Sequence, residues 1–268
     1  MTKTLLENIN AVPALPESIQ EIERIYQNDD STFEDMQKAI EKDPLLTVDI
    51  LRIVNSPMYG VKSTVTSVKQ AISLLGKEAI RAFAIRNAIN SFTIDLSPYK
   101  ITTSQFKYAC DRQLALMINW LIRRKANNLS KLAPAAFLVD IGRVIIAKTL
   151  IEDGKTAEIQ KALSLGKNDI EKAEKAACGA QTTDVTATLF YNWNFDLDII
   201  HIIRYSDDPE GSVGEDRKMA AMLKVVRETV LPNGEITNES ITRAKDIIEE
   251  FGLDFNAYEV ALEKVLNS

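Results

Sequence analysis

Apolar residues recur along almost the whole chain at intervals of three and four, the spacing that gathers them on one face of a helix. Ile19, Ile22, Ile25 and Tyr26 form such a stripe after Pro16, and Phe33, Met36, Ala39 and Ile40 form the next. Asp43-Pro44 reads as a helix start. Its carboxylate can accept from the free N–H groups of the first turn, and a proline there gives up only an N–H with no helical partner. Leu45, Leu46, Val48, Leu51 and Val54 follow, and Ser56-Pro57 closes the helix. Ser31 with Glu34, and Ser67 with Gln70, have the spacing of capping boxes. Gly76 is placed to take the left-handed conformation that ends a helix. Ile80, Phe83, Ala84, Ala88 and Ile89 then continue the pattern.

Residues 91–104 lose the period and hold Ser97-Pro98 and a threonine-serine run, so they are the candidate boundary between regions 1–95 and 96–268. Thr103 or Ser104 is expected to cap a long helix through Phe106, Cys110, Met117, Trp120 and Leu121, ended by Asn127-Asn128. Pro134 is expected to open a helix containing Asp140. A charged helical pair follows at 155–165 and 169–177, joined near Gly166, then helices at 183–193 and, capped by Asp196, at 197–205. Three more are predicted at 214–230, 238–251 and 255–267, with Gly252 ending the middle one. No segment alternates over a strand length; Val61–Val65 comes nearest and reads as a loop. The predicted fold class is all-α.

With 46% hydrophobic and 26% charged residues, the 268-residue chain can bury a core and stay in solution. No run approaches the ~18 consecutive apolar residues of a membrane span, and the start has no apolar signal core, so no membrane association and a cytoplasmic location are expected. Cys110 and Cys178 lie in apolar helical patterns and read as small buried hydrophobes. A net charge of −6 argues against bulk electrostatic binding of nucleic acid. Only scattered bases (Lys62, Lys69, Arg81, Arg86) keep that class open. Arg123-Arg124-Lys125 sits where a helix C-terminus favours cations. Asp207-Asp208-Pro209-Glu210-Gly211 lacks the ligand order of a calcium loop and reads as solvated. There is no Gly-rich phosphate loop and no serine elbow. The single histidine, His201, is flanked by apolar residues and reads as packed.

The order Pro13-Ala14-Leu15-Pro16, Asp43-Pro44-Leu45-Leu46, Leu51-Arg52-Ile53-Val54-Asn55-Ser56-Pro57-Met58-Tyr59-Gly60, Ala71-Ile72-Ser73-Leu74-Leu75-Gly76, and then Phe137 to Arg143 and Trp193, resembles the HDOD family, the HD-related output domain. The resemblance implies a helical N-terminal region packed on a bundle related to HD phosphohydrolases. It also implies a bacterial signalling or regulatory role, in a family whose members often lack catalytic residues. An HD-type site gathers histidines and aspartates around divalent ions. By resemblance its histidines would fall near Tyr108, at Val139 before Asp140, near Thr182, and near Tyr205-Ser206. None of these is a histidine.

The expectation is therefore a non-catalytic protein without metal or cofactor and without an attached output domain. It would act in a bacterial signal-transduction pathway by binding a signalling protein or small ligand. The alternative is a divergent metal-dependent phosphohydrolase using carboxylates alone. Asp140 is expected to bond Arg143 or a backbone amide. Asn55-Ser56 reads as a helix cap and turn. The candidate partner or ligand surface comprises Asn55, Ser56, Tyr59, Asp140 and Arg143, with the N-terminal helical region and the groove between the two halves expected to serve a partner.

Overall fold

A computed structural model describes residues 1–59, 61, 63–89, 94–121, 128–163 and 167–267. Its described residues form helices and turns and no strand. The α-helices are α1 (Lys3–Asn10), α2 (Glu17–Gln27), α3 (Phe33–Glu41), α4 (Pro44–Val54), α5 (Val68–Ile89), α6 (Thr103–Leu121), α7 (Leu129–Leu138) and α8 (Gly142–Glu152). They continue with α9 (Thr156–Ala162), α10 (Lys167–Cys178), α11 (Thr182–Asn192), α12 (Leu197–Arg204), α13 (Gly214–Thr229), α14 (Asn238–Glu250) and α15 (Phe255–Leu266). Among the described residues no helix is long and apolar enough to cross a membrane.

Contacts divide the chain into two compact units: Met1–Ala14, Thr93–Gln113 and Leu138–Leu253 in the first, and Leu15–Phe92, Leu114–Phe137 and Asp254–Ser268 in the second. In the first unit α8 is the centre. Val144, Ile145, Ile146 and Ala147 are buried in succession, so this part of the helix is covered on every side, while Lys148 and Glu152 further on reach solvent. Helices α1, α10 and α11 pack on it, α12 lies against α11 and α13, and α14 covers α13. Asn8 fastens α1 by donating to Thr149 Oγ1 at 3.1 Å and to Glu152 Oε2 at 2.7 Å.

In the second unit α2, α3 and α4 pack on α5. Gly76, at φ 84°, divides α5 into two helical stretches, as its sequence position predicts. Arg81 on the second stretch is fully buried. It donates from Nε to Glu23 Oε1 at 2.7 Å, pairs through Nη2 with Glu23 Oε2, and lies 4.1 Å from the Tyr26 ring centre. It is not a surface base open to nucleic acid. In the same unit Trp120 donates to the Asp254 carbonyl at 3.1 Å and meets Tyr258 edge-on at 5.5 Å, and Lys264 donates to Asn119 at 3.0 Å. These contacts fix α15.

Several caps are where the residues put them, and others shift by one. Asp43 accepts from Leu45 and Leu46 N–H, both at 3.1 Å. Ser67 accepts from Gln70 N–H, while the Gln70 side chain returns to Thr66 N–H. The capping box of α3 is Thr32 with Asp35 and not Ser31 with Glu34. Thr102, not Thr103 or Ser104, caps α6 through Gln105. Asp196 stands at the head of α12 without a side-chain cap bond. The larger correction concerns Pro134, which lies inside α7, while Asp140 lies in the turn before α8. One interior proline removes a single helical hydrogen bond, and the good helix formers Leu129, Lys131, Leu132 and Ala133 start the helix ahead of it. Residues 91–93, Asn127, Gly166, Lys62 and Arg123-Arg124-Lys125 lie outside the described residues, as does the Arg86 side chain.

The buried Arg81–Glu23 pair gives a stability prediction. Arg81→Met leaves a carboxylate without its cation in the core, and should cost about 3–5 kcal/mol. Adding Glu23→Met should recover much of that loss, measured by urea unfolding of both variants.

Candidate functional site

Helix α7 stops because the next backbone groups bond elsewhere. The Thr186 hydroxyl donates to the Val139 carbonyl at 2.8 Å and accepts from Gly142 N–H at 2.9 Å. A side chain at Gly142 would place its Cβ 2.3 Å from the Thr182 carbonyl oxygen, so α8 and α11 meet backbone to backbone. The turn between α7 and α8 presents Asp140 to the interior, with 5% of its surface exposed.

Asp140 is fully engaged. Its Oδ2 accepts from Gln113 Nε2 at 2.9 Å. Its Oδ1 accepts from Arg143 Nη2 at 3.1 Å and from Arg227 Nη2 at 3.0 Å. Of the two partners expected from the sequence, a backbone amide or Arg143, the bond to Arg143 is present. Arg227 reaches in from α13 and also pairs, through Nη1, with Asp207. Asp207 in turn accepts from Thr183 Oγ1 at 2.6 Å and Gln181 Nε2 at 3.1 Å. The loop expected to be solvated thus turns its first aspartate inward. A guanidinium therefore spans the buried carboxylate of Asp140 and the half-buried one of Asp207.

Burial opposes the charge on Arg227, but Asp207 and Asp140 outweigh it and raise its proton affinity above that of an ordinary arginine. Burial opposes the charge on Arg143 as well, and Asp140, Glu174 and Tyr99 reverse the balance. Beside them Glu174, 1% exposed, accepts from the Tyr99 hydroxyl at 2.7 Å, Thr182 N–H at 2.7 Å and Thr182 Oγ1 at 2.9 Å. Burial pushes the Glu174 carboxyl up, against the pull of Arg143 and these hydrogen bonds. Asp140, Arg143, Glu174 and Arg227 share the wall of a cavity of about 390 Å³.

A divalent ion of the HD type does not fit these residues. Val139 is fully buried and supplies no donor atom, the Thr182 hydroxyl is given to Glu174, and the two facing carboxylates already hold a guanidinium. Tyr108 is 44% exposed, with its ring near Gly234. Among the described residues no three His, Cys, Asp or Glu side chains form a metal-holding group. His201 contacts Ser212 Oγ at 3.1 Å and its ring packs against Tyr205. Burial pushes the Cys178 thiol up to about 11, and Cys110 is buried too.

The other candidate residues lie in the second unit. The Asn55 amide donates to the Leu51 carbonyl at 2.7 Å and the Val65 carbonyl at 2.9 Å, and its oxygen accepts from Val65 N–H at 2.8 Å. Asn55 thus ties the end of α4 to the segment before α5. The Ser56 carbonyl accepts from Tyr59 N–H, and the Tyr59 ring meets Phe83 edge-on at 5.2 Å. The sequence reading missed Arg227, Asp207, Glu174 and Thr186. A usable signal existed for two of them. Arg227 continues the stripe Met219–Leu223, and Glu174 stands between Ile170 and Cys178, each a charge in a core phase four residues apart.

The HDOD domain family matches residues 12–209. A structure from Shewanella amazonensis SB2B described as a phosphohydrolase is similar over 99% of this chain and 94% of its own, with a TM-score of 0.74 and 21% identity. One described as a signal transduction protein, from Marinobacter aquaeolei VT8, is similar over 100% of this chain and 59% of its own, with a TM-score of 0.70 and 20% identity. At such identity these likenesses speak to the fold. A curated protein of Treponema pallidum (strain Nichols) is 26% identical over 81 residues, which is 30% of this chain and only 16% of that protein.

Two outcomes follow from the site. Val139→His should place an imidazole in an apolar position without partners, at a cost of about 1–3 kcal/mol. It should melt lower than the parent and gain no tight one-to-one zinc or manganese binding in calorimetric titration. Glu174 gives a pH dependence. A carboxyl raised above 4.5 in the folded state binds its proton more tightly there, so its contribution is full below that pH and is lost as pH rises. The stability of the parent relative to Glu174→Gln should fall as pH climbs from 4.5 through the raised pKa, read from denaturant unfolding across that range.

Proposed function

The chain belongs to the HDOD family, and from that premise we propose that it is a signal-transduction module that works by binding and performs no hydrolysis. Arg227 carries the reading. The carboxylates of Asp140 and Asp207, the latter beside the later ligand position at Tyr205-Ser206, are spanned by one buried guanidinium. A divalent ion entering there would have to break both ion pairs of Arg227. It would find a valine and an engaged threonine where imidazoles are needed to tune a bound water. The positive charge that the carboxylates require is built into the chain.

The partner this reading requires is a signalling protein or a small ligand, met inside a bacterial cell. Nucleic acid suits it poorly, with a net charge of −6 and Arg81 committed to Glu23. The likeness to the Shewanella protein rests on fold and lends no ligand set to a hydrolase reading.

The test is turnover of phosphomonoesters, phosphodiesters and cyclic dinucleotides with manganese, magnesium, nickel or iron supplied. None is expected. Metal-dependent activity that follows the purified protein and is lost in Asp140→Asn would overturn the proposal. Arg227→Met should unfold more easily by about 3–5 kcal/mol, because it leaves the buried Asp140 and the half-buried Asp207 without the cation they share.

A further inference from the structure

We propose that the cavity of the first unit binds a small organic oxyanion, a carboxylate or phosphate group joined to an apolar body, with Arg143 receiving the charged group. This rests on the binding role proposed above and names its ligand class. The argument starts from hydrogen-bonding capacity. Arg143 is 5% exposed and lies in the cavity wall. Within the described residues only its Nη2 is hydrogen-bonded, to Asp140, and its Nε is buried without a partner. Buried donors in native proteins are nearly always satisfied. A planar guanidinium with unused donors is the group best matched to a carboxylate or phosphate. The Tyr99 ring centre lies 5.1 Å from the guanidinium carbon, a cation–π contact on the same side chain.

The carboxylates in the same wall do not reverse the sign. Asp140 is taken by Gln113, Arg143 and Arg227, and Glu174 by Tyr99 and Thr182. Glu171, also in the wall, is electrostatically coupled to Arg227. At the rim Arg243 pairs with Glu228, whereas the exposed Lys100 makes no ion pair among the described residues. What these groups leave open to a ligand is donor capacity on cationic side chains: the Arg143 Nε inside and Lys100 at the mouth.

The remaining wall gives the ligand its body. Ile101, Leu163, Leu231 and Pro232 present apolar surface to the same space. A volume of about 390 Å³ lies in the range of small-molecule sites, and far exceeds what a bare inorganic anion fills.

The experiment uses the full chain with phenyl phosphate, benzoate, inorganic phosphate and neutral benzyl alcohol, by calorimetric titration and thermal shift. Phenyl phosphate, benzoate or both should bind one-to-one and raise the melting temperature, and the comparison decides which head group is preferred. Inorganic phosphate should bind at least ~10-fold more weakly, and benzyl alcohol should give no saturable signal. Arg143→Lys keeps the charge and removes the planar donor edge, so binding should drop by ~10-fold or more. Lys100→Glu reverses the rim charge outside the core and should also drop it by ~10-fold. If Arg143→Lys does not fold, Lys100→Glu decides. No saturable binding of either anion, equal binding of benzyl alcohol, or unchanged binding in the folded variants would overturn the ligand class. Such a result leaves the non-hydrolytic role standing. Metal-dependent release of phenol from phenyl phosphate would instead overturn that role.

Discussion

Arg227 sits 3% exposed between Asp140 and Asp207, and a guanidinium so far from water is tolerable only while both carboxylates stay in place. Much of the first unit holds them there. Gln113 on α6 takes the second oxygen of Asp140, and Thr183 and Gln181 at the head of α11 take the second oxygen of Asp207. Thr186 bonds the backbone on both sides of the turn that carries Asp140. Gly142 lets α8 lie directly on α11. Each of these is a small local choice. Together they keep one buried charge neutralised from two sides.

A second network lies alongside, joined through Arg143. Glu174 draws donors from Tyr99 and from both the backbone and the hydroxyl of Thr182. Such networks are stable when every member is satisfied and costly when one is missing. Arg143 has donor capacity left over, and it lines the cavity whose wall it shares with Glu174 and Tyr99.

The helices were legible in the residues because their signals are local. Asp43-Pro44 declares a start, Gly76 a break, and the last three helices fall within a residue or two of their expected bounds. Where two signals overlap, periodicity alone could not choose. Ser31 with Glu34 and Thr32 with Asp35 offer the same chemistry one residue apart, and only the folded backbone selects the second. The site was legible in part. Asp140 and Arg143 are three apart, so their bond is a local fact. Arg227 is 87 residues from Asp140, and Asp207 another 20 from Arg227. Nothing in the spacing of such distant residues says that they meet. The trace they leave is an arginine standing in an apolar stripe.

Arg227 lies beyond residue 209, where the family match ends, as does α15, which closes over Trp120. The stretch that carries the recognisable motifs is therefore shorter than the stretch that must fold together. Trimmed to its motifs, the chain would keep Asp140 and Asp207 and lose their only shared cation among the described residues, and it would bare an indole that now rests on Tyr258. The piece of this chain that can stand alone is defined by charge balance, and a boundary chosen from sequence likeness alone would cut through it.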